Sequence, residues 1–286
     1  MSRSSIALPA FLLERQQLLA AELGRLVPPC ERPPCDVHRS IRYTLLGPSK
    51  RVRGVLTLLV GDLLESKDNP IAAAVAIEMV HASSLILDDL PAMDDTGVRR
   101  GRPANHVEFG EATAILAAVG LLTLAFGHLA SAYAPPLAAA LARLFADTIG
   151  SEGLIGGQAA DLQLPSHPLH VSEIEPVDER KTAVLFRAAA EAGAMVGGAD
   201  DAQRQLLADF GDRMGLAFQL VDDVLDTIAG DAARDRRGHT ASIADLPEAR
   251  QRAEELSTQA IGSLEPFGGR AARLRELARF VVERTE

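Results

Sequence analysis

The sequence is poor in aromatic residues: 286 positions hold no tryptophan, two tyrosines and nine phenylalanines, 4% in all. Alternating β-branched and aromatic residues, the pattern of a half-buried strand, are scarce, while alanine-leucine runs abound. Strands are therefore not expected and the fold class is all-α. Cysteine is nearly absent. Cys30 and Cys35, within PPCERPPC, are the only two, and a zinc site needs further Cys or His partners than His38 alone supplies. They read as a reduced, incidental pair in a cytoplasmic protein. Basic residues are outnumbered, 29 against 39 acidic, for a net charge of -10. That excludes unaided binding to nucleic acid, which calls for a basic face. No Ser/Gly/Pro-rich linker divides the chain, so 1–286 is read as one domain. The N-terminal MSRSSIALPAFLLERQQ has too short an apolar stretch before Glu14 for a secretory signal.

What the chain does have is apolar helix-forming sequence. Hydrophobic residues make up 47%, ample for a sizeable core. Apolar residues recur at helical spacing over 10–26, and Pro28 and Pro29 end that helix. The proline-rich segment to Pro34 is then a connector to a second helix over 37–46. Residues 112–142 carry no formal charge, which raises a membrane span. The stretch is mostly alanine, holds His128 and Ser131 and is broken at Pro135-Pro136, so a buried helix hairpin and no span is predicted. Beyond Asp226 the remainder reads as two surface-facing helices.

The chemistry concentrates in 81–103, HASSLILDDLPAMDDTGVRRGRP. The preceding run, IAAAVAIEMVHASSLIL, has no helix breaker and is apolar on most faces, which places Asp88 and Asp89 at the C-terminal end of a buried helix. Carboxylates there face the negative end of the helix dipole and need cations to stay ionised. Pro91 ends the helix and lets Asp94 and Asp95 return toward the first pair. Several oxygen ligands without adjacent Cys favour magnesium over zinc, and a divalent ion held by few carboxylates keeps positions open for phosphate oxygens. Arg99 and Arg100 suit phosphate through the guanidinium fork. An isolated aspartate pair is commonly a solvated acidic turn. A second copy argues otherwise: in FQLVDDVLD, Asp222, Asp223 and Asp226 follow another apolar run, with Asp222 and Asp226 on one helix face.

These motifs resemble those of the trans-isoprenyl diphosphate synthases, most closely the bacterial geranylgeranyl diphosphate synthases of the carotenoid type. The resemblance covers about 43–256, with DDLPAMD similar to the first aspartate-rich motif, RRGRP to the arginine pair, HVEFGEATAIL to the stretch after it and FQLVDDVLD to the second aspartate-rich motif. It implies a bundle of about a dozen helices around a central cavity, the isoprenoid synthase type I fold. It also implies a homodimer and about three magnesium ions with substrate bound. Metal ligation falls to Asp88, Asp94 and Asp222, and catalysis to these with Asp89, Asp223 and Asp226. Lys50 and Arg53, in GPSKRVRG, match residues that hold the diphosphate of isopentenyl diphosphate, although Gly47-Pro48-Ser49 departs from the family's glycine pair. Without the resemblance the Lys50, Arg51, Arg53 run reads as a solvated basic turn. His81, two turns before Asp88 on one face, would ordinarily be a core histidine. It matches a histidine that contacts the same substrate. Lys181 and Thr182, in ERKTAVLF, match the KT pair for the allylic diphosphate and are expected to open a helix whose N-terminal dipole favours an anion. Gln219 belongs to the same substrate-binding set. GLIGGQAADLQL, where Gln158 and Asp161 share a helical face, is similar to a stretch beside the substrate cavity.

The implied reaction is head-to-tail prenyl transfer between isopentenyl diphosphate and an allylic diphosphate. Ser83 and Ser84, roughly 6 to 8 Å below Asp88 along the axis, are small where a bulky aromatic would stop growth at farnesyl, so geranylgeranyl diphosphate is the expected product and farnesyl diphosphate the alternative. After Asp226 the family's two lysines are missing from TIAGDAARDRRGHTAS. His239 stands near the second position, and Arg234, Arg236 and Arg237 supply charge there. Two other classes stay open: a class I terpene cyclase, for which the aromatic content is meagre, and a catalytically weak member acting as a regulatory subunit.

Overall fold

The computed structural model describes residues 9–165, 167–229 and 244–283, apart from the side chains of Asp226 and Ala229. It is a helical assembly. The N-terminal part comprises α1 (Ala10–Leu26), α2 (Cys35–Leu45), α3 (Val52–Leu63) and α4 (Ile71–Asp88). α4 is central because its sequence gives it no polar face: from Ala72 to Val80 every residue is buried. Its small alanines admit α3, α6 and α10 closely around it. Its start is pinned by Tyr133, whose hydroxyl accepts from the Ala73 amide at 3.1 Å and donates to the Asn69 carbonyl at 2.8 Å. One of the free amides of the first turn is thereby satisfied.

After α4 comes a loop and a short antiparallel hairpin, β1 (Val98–Arg99) with β2 (Arg102–Pro103), Val98 opposite Pro103 and Arg99 opposite Arg102. Strands were not expected. Two-residue strands leave no periodicity to read, and here the turn is made by Arg100 and Gly101, both at positive φ. α5 (Asn105–Phe109), α6 (Glu111–Ala132) and α7 (Pro135–Ile149) follow. The last two form the predicted hairpin, with Pro135 starting α7 at a position where no amide is needed, but it is not the buried hairpin expected, since each helix buries only one side. α4 and α6 are both long and apolar enough to cross a membrane by length and composition. α4 is instead the centre of the bundle, and α6 lays one side on α4 and α2 while Ile115, Leu116 and Val119 stay exposed.

The C-terminal part holds α8 (Leu154–Asp161), α9 (Val171–Asp178), α10 (Val184–Val196), α11 (Asp201–Ala229), α12 (Leu246–Ser263) and α13 (Ala272–Glu283). A π-helical turn, Glu179–Ala183, joins α9 to α10 without a break. Lys181 and Thr182 therefore lie inside a continuous helical run. The expected free helix N-terminus is not there, so its dipole contributes nothing at this position. α11 lies tight on α10: a Cβ on Gly215 would stand 2.9 Å from the Phe186 Cβ. The 230–243 segment, with Arg234, Arg236, Arg237 and His239, lies outside the described residues, as does the side chain of Asp226.

Candidate active site

Two acidic walls form where α4 and α11 approach the π turn. On the first, Asp88 is the last residue of α4 and Asp89 its cap. The following loop folds back on the helix end, with Asp94 donating its amide to the Asp88 carbonyl at 2.9 Å and Thr96 to the Asp89 carbonyl at 3.2 Å. This satisfies carbonyls the helix leaves open and returns the Asp94 carboxylate to the first pair. Arg99, on β1, donates to Asp89 Oδ1 through Nε at 2.9 Å and also through Nη2. Burial, then Asp94 and Asp89 against the opposing Lys181, leaves Asp88 pushed up to about 7. Burial also raises Asp89, in spite of Arg99.

On the second wall Gln219 Nε2 donates to Asp223 Oδ1 at 2.8 Å and Gln219 Oε1 accepts from Thr182 at 3.1 Å. Asp223 is buried, and burial with Asp222 and Asp161 outweighs Gln219 and pushes its carboxyl up to about 7. Asp222 is half-buried beside it.

α8 and the π turn join the walls. Gln158 Nε2 donates to Asp94 at 3.0 Å, and the Lys181 ammonium lies 2.5 Å from Asp161 and 3.8 Å from Asp94. Burial pulls Lys181 down, but Asp161, Asp88 and Asp94 together hold it above its ordinary value. Gly157 makes the approach possible, since a Cβ there would stand 2.4 Å from the Lys181 amide nitrogen. The predicted Asp94 and Lys181 thus meet in one bonded group and Thr182, Gln219 and Asp223 in another, at adjacent positions of the π turn, with Asp88 in electrostatic reach of Lys181 and Asp89 held by Arg99.

The predicted cations of the other set lie beside it. Arg53 is sandwiched near Phe186, 4.3 Å from its ring centroid, and Phe218 at 5.8 Å, with Nη1 3.4 Å from His81 Nε2. Burial and the Arg53, Arg100 and Arg99 charges keep His81 well below the usual histidine range. It is neutral at pH 7, and its Nε2 takes the Arg53 proton donor. Arg100 is exposed and donates to the Pro48 carbonyl at 3.0 Å, which brings the hairpin onto the loop that carries exposed Lys50. A hollow there is lined by Gly47, Pro48, Asp89, Arg99, Arg100 and Arg102. Ser83 is buried and donates to the Ala118 carbonyl of α6 at 2.9 Å, while half-buried Ser84 bonds the His81 carbonyl of its own turn at 3.0 Å.

Sequence reasoning missed a supporting pair. Arg51, at φ 47, is buried 3.6 Å from buried Glu78, whose other oxygen accepts the Gly54 amide at 2.8 Å. The pair fixes the loop between Lys50 and Arg53. The signal was available, since Glu78 is the one charged residue of α4 before Asp88, and a buried charge requires a partner. Asp178 was missed as well: it stands in the charged run DERK with no second aspartate beside it to mark it.

The donor set suits magnesium. The crowded carboxylates around the π turn have Lys181 and Arg99 as counter-ions, fewer positive charges than they carry negative ones. Among the described residues no three Asp, Glu, His or Cys side chains are grouped to hold an ion unaided. Magnesium does not require that, because it binds through one or two carboxylates plus substrate phosphates and water.

The family model for polyprenyl synthetase matches residues 35–241. The chain belongs to the polyprenyl synthetase family. It is 37% identical over 269 residues to geranylgeranyl pyrophosphate synthase 7 of Arabidopsis thaliana, covering 88% of this chain and 78% of the relative. It is 39% identical over 229 residues to the farnesyl diphosphate synthase of Geobacillus stearothermophilus, covering 78% and 76%. Among solved structures, an FPP/GFPP synthase of Zymomonas mobilis superposes with a TM-score of 0.83 at 33% identity, covering 95% of this chain and 97% of the other. Likeness over nearly the full length establishes the all-α fold of the polyprenyl synthetases for this chain.

Proposed function

We propose that this polyprenyl synthetase is a magnesium-dependent short-chain trans-prenyltransferase that condenses isopentenyl diphosphate with an allylic diphosphate. The observation that carries this is the meeting of two bonded groups, Asp94 and Asp161 on Lys181 and Asp223 and Gln219 on Thr182, at adjacent positions of the π turn. It sets acidic side chains on both sides of Lys181, beside a separate pair of Arg53 and His81 with Arg100 near it. Acidic walls suit a diphosphate carried by cations; the basic cluster suits a diphosphate met directly.

Asp88, Asp94 and Asp222, with Asp89, Asp223 and Asp226, would hold magnesium. Bound there it would neutralise the departing diphosphate. Lys181, Thr182, Gln219 and Arg99 orient the allylic diphosphate. Lys50, Arg53 and Arg100 hold isopentenyl diphosphate, with neutral His81 fixing the Arg53 guanidinium. Packed apolar helices around the network exclude the water that would quench a carbocation.

Geranylgeranyl diphosphate is the main product on this reading, because Ser83 and Ser84 put little bulk below Asp88. Farnesyl diphosphate is the second reading, favoured by the 39% identity to a farnesyl diphosphate synthase. The chain acts as one domain, in the cytoplasm, without a membrane span. The exposed Ile115, Leu116 and Val119 on α6 form an apolar face suited to a second copy in a homodimer. Purified protein with magnesium, isopentenyl diphosphate and an allylic diphosphate should yield longer linear diphosphates by mass spectrometry. Hydrocarbon products would point to a cyclase, and unchanged substrates to a regulatory subunit.

A further inference from the structure

Asp178 ends α9 immediately before the π turn, three positions before Lys181. Its residue exposure is 7%, and Oδ2 has no hydrogen-bond partner among the described residues. A buried carboxylate oxygen left unpaired is costly, and buried polar atoms are nearly always satisfied. α9 and the π turn both pack on α11, the helix that carries Asp223, so Asp223, Asp161 and Glu175 crowd negative charge around Asp178 and Lys181 opposes them. Lys181 is already engaged by Asp161 and Asp94. Hydrophobic packing cannot satisfy the oxygen, and a π turn, which often marks a functional position, follows the residue directly.

Resting on the reading that magnesium enters between the acidic walls, we propose that Asp178 pairs with Asp223 to hold a divalent cation, extending the second wall from α11 onto the junction of α9 and the π turn. Two carboxylates with a diphosphate are the set magnesium favours. The unpaired oxygen then has a partner, and the carboxylates gain the positive charge they lack.

The test uses the full-length protein with inorganic pyrophosphate and Mn²⁺ as an EPR-visible probe, counting bound ions and their affinity. Wild type should take up Mn²⁺, and Asp178→Asn should weaken part of that uptake by about tenfold or more. Asp88→Asn should weaken a different part, so the double variant loses both. An Asp178→Asn isotherm superimposable on wild type overturns the proposal while leaving the magnesium reading intact. A wild type that takes up no Mn²⁺ overturns that reading, and the proposal with it. Far-UV circular dichroism checks folding, and Asp178→Ser carries the same comparison should the asparagine variant unfold.

Discussion

Lys181 lies 3.8 Å from Asp94, although one stands on the π turn and the other on the loop after α4. A single ammonium therefore serves as counter-ion to carboxylates contributed by distant parts of the chain. Replacing it by methionine keeps the length of the side chain and removes the charge, leaving buried Asp161 and half-buried Asp94 without it. Loss of one partner from a buried pair costs about 3 to 5 kcal/mol. Urea unfolding of Lys181→Met in EDTA should show a loss of that order. Millimolar magnesium should recover part of it, since a divalent ion supplies the missing charge. A melt unaffected by the substitution would mean that the ammonium is not the counter-ion described.

The same crowding gives the metal-free protein an unusual pH response. Asp88 and Asp223 are each pushed up to about 7 from an ordinary value of 3.8. Between about pH 4 and 7 the folded state therefore binds more protons than the unfolded chain, and stability falls as pH rises through that window. In EDTA the protein should be more stable near pH 5 than near pH 8 as far as these groups decide it. Magnesium should flatten the dependence by holding both carboxylates ionised. Thermal melts across pH 5 to 8, with and without the ion, read the sign directly.

How much of this was legible in the sequence depended on the length of the pattern. α1 coincides with the predicted 10–26, and the α6/α7 hairpin turns at the predicted prolines. α2 starts at Cys35, two positions before the expectation, since Pro34 already supplies a compatible cap. What escaped had no periodicity: the two-residue strands, the π turn that removes the expected helix start before Lys181, and the Arg51 and Glu78 pairing across α3 and α4. Spacing could place Asp88 and Asp222 each at one end of an apolar run. It could not show that Gln158 and Asp161, on a short helix between them, join the walls.

That joining depends on Gly157, where an added Cβ would meet the Lys181 backbone nitrogen at 2.4 Å and the Arg180 carbonyl carbon at 2.6 Å. Backbone cannot yield as a flexible side chain would. Gly157→Ala should push α8 from the π turn, part Gln158 from Asp94 and Asp161 from Lys181, and lower kcat at least tenfold while the melting temperature drops only modestly. Steady-state kinetics beside a thermal melt checks this, and wild-type kcat would show the close approach to be dispensable.

Glu78 supports the other substrate cluster from within the core. Truncation to alanine strands Arg51 and releases the Gly54 amide, so a loss of about 3 to 5 kcal/mol is expected. Glu78→Gln retains an acceptor for the amide and loses only the charge, so it should lose less. In that milder variant KM for isopentenyl diphosphate should rise more than KM for the allylic substrate, because Lys50 and Arg53 flank Arg51. Equal changes in both would assign Glu78 a purely structural role.

Product length tests the α4 floor. Ser83 is 1% exposed and its hydroxyl is spent on the Ala118 carbonyl, against the fully buried Ala114, Ala117 and Ala118 of α6. Ser84, one residue on, is half-buried and bonds only its own helix turn. A tyrosine at 83 must displace α6 or intrude below Asp88, at a stability cost of about 1 to 3 kcal/mol. A phenylalanine at 84 meets less packed protein and should be cheaper. Both Ser83→Tyr and Ser84→Phe should shift the longest product from geranylgeranyl toward farnesyl diphosphate, with Ser83→Tyr the less stable of the two. Mass spectrometry of the products and paired melts separate the effects. An active Ser83→Tyr enzyme with unaltered product length would remove α4 as the floor and leave chain length to another wall.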